Sequence, residues 1–189
     1  MVGGLYTAHD IETSRSVVFP GFRDSLGANI DGRGWQVFGE IGYTFQMGQV
    51  ALQPFAGLAY IHLETDSFSE EGGPAALVGA GLSRSVGYST LGLRASTNFT
   101  LDDMNLRLHG MIGWRHAVVE EASFAYLAFR DGSLPFRVAG LPIAKDSLVA
   151  EVGLDWEIGP RARLGVSYSG MIADRAADHA VKADLTIRF

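Results

Sequence analysis

The 189-residue chain has room for one domain of ordinary size, taken as residues 1–189, and its net charge of −6 lacks the basic face a non-specific nucleic-acid binder needs. Although 47% of residues are hydrophobic, no run of ~18 is apolar throughout, so a spanning helix is excluded. The absence of cysteine removes disulfides, thiolate metal sites and Cys nucleophiles, while 24 glycines among plentiful aromatics favour strands and tight turns.

Strand signals begin weakly at Gly3–Asp10 and Ser16–Ile30. From Trp35 to Phe45 the alternation is plain: Trp35, Val37, Ile41, Tyr43 and Phe45 share one parity, and Gln36, Glu40 and Thr44 the other. A further signal covers Val50–Leu63, after the tight connection Met47-Gly48-Gln49, and the long connection Thr65–Ala80 follows it. Leu91, Leu93 and Ala95 then oppose Thr90, Arg94, Ser96 and Asn98. After a tight Thr100–Asn105, Leu106, Leu108, Ile112 and Trp114 oppose Arg107, His109, Met111 and Arg115. A second long connection, Glu120–Ala144, leads to Lys145–Ile158, where Leu148, Val152, Leu154 and Trp156 oppose Glu151, Asp155 and Glu157. Gly159-Pro160-Arg161 is tight, Arg163–Ala173 is strand-like, and Val181, Ala183, Leu185, Ile187 and Phe189 finally oppose Lys182, Asp184, Thr186 and Arg188.

About nine strands are expected, several of ten or more residues, which is longer than a soluble strand of ~5–6 requires. Alternation, long strands, and short turns facing long loops describe an antiparallel transmembrane β-barrel. A soluble lipocalin-like barrel would alternate too, with its apolar parity inside. Two features favour the membrane: the polar parity is rich in Gly and Ser with scattered charges, and the aromatics gather toward strand ends.

On this reading Glu40, Arg94, Arg107, Arg115, Glu151, Arg163, Asp184 and Arg188 face a polar lumen. They either fill it as a salt-bridge ladder or meet something inside it. Chemistry is not indicated. No Gly-x-Ser-x-Gly elbow occurs among the serines, no His pair has metal-ligand spacing, and Ser83–Ser89 lacks a phosphate-loop Lys, so no catalytic, metal or cofactor residue is assigned. His109 and His116 are read as lumen or rim residues.

The chain also resembles the autotransporter β-domain, the translocator of type V secretion. The stretches that carry this are Arg15–Phe22, Trp35–Tyr43, Gln53–Tyr60, Phe68–Leu77, Ser89–Arg94, Gly113–His116 and Leu164–Gly170, followed by His179–Ala183 and the terminal Arg188-Phe189. The resemblance implies a barrel of about twelve strands in the outer membrane of a Gram-negative bacterium. It also implies a lumenal helix and an N-terminal passenger exported without nucleotide hydrolysis. Leu185, Ile187 and Phe189 are then the C-terminal signal read by the barrel assembly machinery, beside outer-membrane lipid and the chain's own passenger as partners. With about nine strands the sequence reads as an N-terminally shortened part of that barrel. A small porin-like barrel without a passenger is the other membrane reading.

Overall fold

A computed structural model describes residues 1–119, 124–140, 142–174 and 176–188. In chain order its strands are β1 (Val2–Phe19), β2 (Phe22–Gly42), β3 (Phe45–Met47), β4 (Val50–Thr65), β5 (Phe68–Ser69), β6 (Leu77–Gly79), β7 (Leu82–Leu101), β8 (Met104–Val119), β9 (Phe124–Phe129), β10 (Phe136–Ala139), β11 (Asp146–Gly159), β12 (Ala162–Ala173) and β13 (Ala176–Ile187).

Nine strands form one antiparallel sheet in the order β1-β2-β4-β7-β8-β11-β12-β13, with β3 beside β4. The sheet curls strongly into a half-barrel. β3 is in effect the end of β2, because Gly42↔Phe55 and Phe45↔Leu52 keep one register. The interruption lies opposite Pro54. Tyr43 N–H still donates to the Pro54 carbonyl at 3.2 Å, but proline has no N–H to return the bond.

Two-residue turns join strands along one rim: Gly48-Gln49, Asp102-Asp103 and Pro160-Arg161. Asp102 and Asp103 both have positive φ, 46° and 64°, the conformation a two-residue hairpin requires to match strand twist. At the opposite rim the chain turns at Pro20-Gly21, with Gly21 at φ 83°. That turn divides the Ser16–Ile30 signal. Its second half runs unbroken into Trp35–Gly42 as a single strand of 21 residues.

The two long connections are not structureless. They supply β5, β6, β9 and β10, which pair in the order β10-β9-β6-β5 as a second, four-stranded sheet. The bridge Gly27↔Glu71 ties this cap to the outer end of β2. There Leu26, Ala28 and Ala76, at 3%, 7% and 1% exposure, form a small apolar core.

Elsewhere the usual burial is inverted. Leu58, Ile41 and Val181 are 70–77% exposed, and among the described residues no large side chain is fully buried. An apolar face this extensive belongs against lipid, which separates the molecule from a soluble lipocalin-like barrel with its apolar parity inside.

Candidate functional site: the charged concave face

Directly paired residues on neighbouring strands point to the same side, so the registers assign every predicted lumen residue to a face. Glu40 opposes Gly57, which opposes Thr90, which opposes Arg115. Arg94 opposes Met111, and Met111 opposes Glu151. Arg107 opposes Asp155, which opposes Gly165, which opposes Asp184; Arg163 opposes Glu157 and Thr186. Arg188 follows Thr186 at the same parity, and its N–H donates to the Arg161 carbonyl at 2.8 Å. All eight residues therefore share one face. It is the concave one, because Arg94, Arg107, Glu151, Arg163 and Asp184 from five strands line a single cavity of about 460 Å³.

Two regimes divide this face. Between β2 and β7 one charge pair is fully satisfied: Arg94 donates to both Glu40 carboxylate oxygens at 2.6 and 2.7 Å and lies 3.9 Å over the Phe55 ring. Two charge-assisted bonds and a cation–π contact hold that guanidinium in one orientation. Gly92 makes room for the ring, since a Cβ there would come within 2.6 Å of Phe55. Across β8, β11, β12 and β13 the charges are dense but loosely paired. His109 and Asp155 approach only to 3.9 Å, Arg115 lies 5.8 Å from the Tyr88 ring, and Arg107, Arg163 and Lys182 form no ion pair among the described residues. This half of the surface presents both signs of charge to whatever solvent or polypeptide lies against it.

Asp155, Glu157, His109 and Lys182 belong to this face as fully as the eight residues singled out from the sequence. Their parity was the available signal. Asp24 and Glu70 had no such signal. They sit where the cap meets the β1–β2 hairpin, buried to 8% and 7% exposure. Asp24 accepts N–H bonds from Gly73 and Ala75, each 3.0 Å. Glu70 takes a bidentate bond from Arg15 and the Leu77 N–H at 2.8 Å, while Arg130 donates to the Glu70 and Gly72 carbonyls. The Arg15 guanidinium, before all else, holds the Glu70 carboxyl below the ordinary carboxylate range.

The convex face carries Leu185 and Ile187, 59% and 52% exposed; Phe189 lies outside the described residues. Aromatics on this face form two belts. Tyr43, Phe45 and Phe99 lie near the short-turn rim, and Trp35, Tyr60, Trp114 and Tyr168 lie farther up. His116, also convex, packs its ring tilted against Trp114 and bonds Asp146, a rim position, whereas His109 is on the concave side.

Comparison with known proteins gives a consistent result. The autotransporter β-domain family model matches residues 1–169. Two curated relatives, each named extracellular serine protease and from Serratia marcescens, are 38% and 37% identical over 187 residues, 99% of this chain. The chain spans 18% of their length. Among solved structures, the translocator domain of the autotransporter NalP from Neisseria meningitidis superposes with a TM-score of 0.72 at 20% identity, over all of this chain and 60% of that one.

Proposed function

Because this chain belongs to the autotransporter β-domain family and is a translocator β-domain of the Gram-negative outer membrane, we propose that residues 1–189 act as one module that anchors an N-terminal passenger and admits it to the cell surface along the concave face. One observation carries the reading. Charged side chains line the concave cavity while the large apolar side chains are exposed on the convex face. A polar passage through lipid needs this arrangement.

In this reading Glu40, Arg94, Arg107, Arg115, Glu151, Arg163, Asp184 and Arg188 are lumen residues. The Glu40–Arg94 pair stiffens the wall, and the loosely paired charges of β8–β13 solvate a polypeptide in the lumen. Leu185, Ile187 and Phe189 are the segment that the barrel assembly machinery reads, with the convex face meeting outer-membrane lipid. The translocating role itself calls for no catalytic step or cofactor. Proteolysis is in the name of the two relatives, of which this chain accounts for 18%.

The test is a reporter placed upstream of the chain in its full reading frame, probed with external protease on intact cells. Surface cleavage of the reporter, together with a heat-modifiable barrel band in the outer-membrane fraction, is the expected result. A folded, membrane-inserted barrel whose reporter stays protected overturns the export role, and ion conductance by that same barrel would then favour a pore without a passenger.

A further inference from the structure

The convex face carries a second polar constellation that export does not use. Trp35 opposes His62, and His62 opposes Ser85, so all three point outward. His62 Nδ1 lies 2.9 Å from Ser85 Oγ, and His62 Nε2 lies 3.2 Å from a carboxylate oxygen of Glu64, next along the same face of β4. One neutral tautomer satisfies both contacts: Nε2–H donates to Glu64, and Nδ1 accepts the Ser85 hydroxyl proton. The Trp35 ring packs 5.5 Å from the imidazole, and Arg33 donates to the other Glu64 oxygen at 3.1 Å. A nucleophile touches a base, and the base is oriented by an acid that is itself held in place.

The position of this group suggests what it meets. His62 lies ten residues beyond Leu52, which pairs with Phe45 of the lower aromatic belt. At ~3.4 Å per residue and a strand tilt of ~40°, that is roughly 25 Å, the height of the apolar band of such barrels. Ser85 therefore stands where acyl chains end and ester linkages begin. Directly beside it on the convex face is an almost wholly apolar groove of about 510 Å³, lined by Val37, Leu58, Tyr60, Gly87, Ser89 and Val118. Gly87 and Ser89 are the next outward residues of β7 after Ser85, so the small side chains that open the groove lead straight to the hydroxyl.

We propose that Ser85, His62 and Glu64 form an interfacial acyl-ester site, whose substrates are acyl esters of membrane lipids with the chain lying in the adjoining groove. Ser85 Oγ attacks the ester carbonyl carbon as its proton passes to His62 Nδ1. Collapse of the tetrahedral intermediate breaks the ester C–O bond, and the departing alcohol takes that proton. Water, giving its proton to His62, then attacks the acyl-serine, releasing the fatty acid and returning the proton to Ser85. Glu64 is a positioning residue. The neighbouring backbone N–H groups are engaged in the sheet ladder, so the oxyanion has water rather than a preorganised donor, and turnover is slow. Covalent capture is therefore the right readout.

The probe is a fluorophosphonate with a long alkyl chain, applied to outer membranes containing the protein and read by peptide mass spectrometry, with heat-modifiable migration as the folding control. The expected result is an adduct on Ser85. In folded His62→Ala its rate falls by about a hundredfold, in line with the loss of a general base. Glu64→Gln slows labelling and Glu64→Asp restores part of it, which a purely structural tie between strands would not do. Gly87→Leu, which fills the groove, slows the long-chain probe and spares an ethyl analogue. No adduct on Ser85, or an adduct formed equally fast in His62→Ala, overturns the proposal and leaves the His62–Ser85 bond as a link between β4 and β7.

Discussion

Arg15 on β1 and Glu70 in the first long connection meet through two charge-assisted hydrogen bonds, 3.1 and 2.5 Å, across a sequence separation of 55 residues. The same guanidinium reaches the Ala75 carbonyl at 2.9 Å. One side chain thus ties the barrel hairpin to the cap.

Glu70→Gln should release the cap while leaving the barrel intact. The carboxylate is buried and its three N–H partners lose a charged acceptor, so a cost of about 1–3 kcal/mol in cap stability is expected. Hydrogen exchange at residues 68–79 should accelerate, with heat-modifiable migration unchanged. Unaltered exchange would show that the Asp24 bonds, the Gly27–Glu71 bridge and the apolar core hold the cap without this pair.

Acidification should act in the same direction. The Glu70 carboxyl titrates below its ordinary range, so its contribution is fully present above the unfolded carboxylate value and is lost as pH falls through the lowered folded one. The groups facing it are Arg15, which favours the charged form most strongly, the Leu77 N–H, which also favours it, and Asp24, which opposes it. Exchange protection of the cap measured from neutral to strongly acid pH should fall only at the acid end, and that fall should be absent in Glu70→Gln.

Leu93→Arg and Leu185→Arg place a cation on the convex face and should each cost ~2–4 kcal/mol in a bilayer near mid-depth, less toward the rim. Thr186→Arg, on the concave face, should be milder. Denaturant titration of the folded barrel in lipid checks this, and equal costs on both faces would refute the assigned orientation.

Glu40 and Arg94 should be coupled. A double-mutant cycle built from Glu40→Gln and Arg94→Met is expected to return roughly 1 kcal/mol, kept modest because the Arg94 side chain is 38% exposed and solvent screens the pair. The same cycle on Arg163 and Asp184, which form no ion pair among the described residues, should return nothing measurable.

Much of this molecule was readable from alternation alone. Side-chain direction in a strand has a period of two, so once Trp35–Phe45 or Val181–Ile187 is recognised as a strand, every residue is assigned to a face. All eight predicted lumen residues fall together for that reason. The short turns were equally visible, because Gly48 and the Asp102-Asp103 pair are residues that accept positive φ.

What the sequence did not disclose depends on contacts between distant residues. The turn at Pro20-Gly21 divides one apparent strand signal, and β2 runs past Ile30 because β1 and then β4 hold it in register. The cap strands are two to six residues long, too short for any periodicity; Asp24 and Arg15 supply partners to the Glu- and Gly-rich segment between β5 and β6, and β9 and β10 are held by strand pairing with β6 and with each other. The outward group of Ser85, His62 and Glu64 is likewise a product of register: β4 and β7 are joined by a long connection, and only their pairing brings an ordinary serine to 2.9 Å from an ordinary histidine. Local pattern determined which face each side chain takes, because pleating is a property of neighbouring residues; tertiary structure decided which side chains meet on that face, because register is a property of two strands at once.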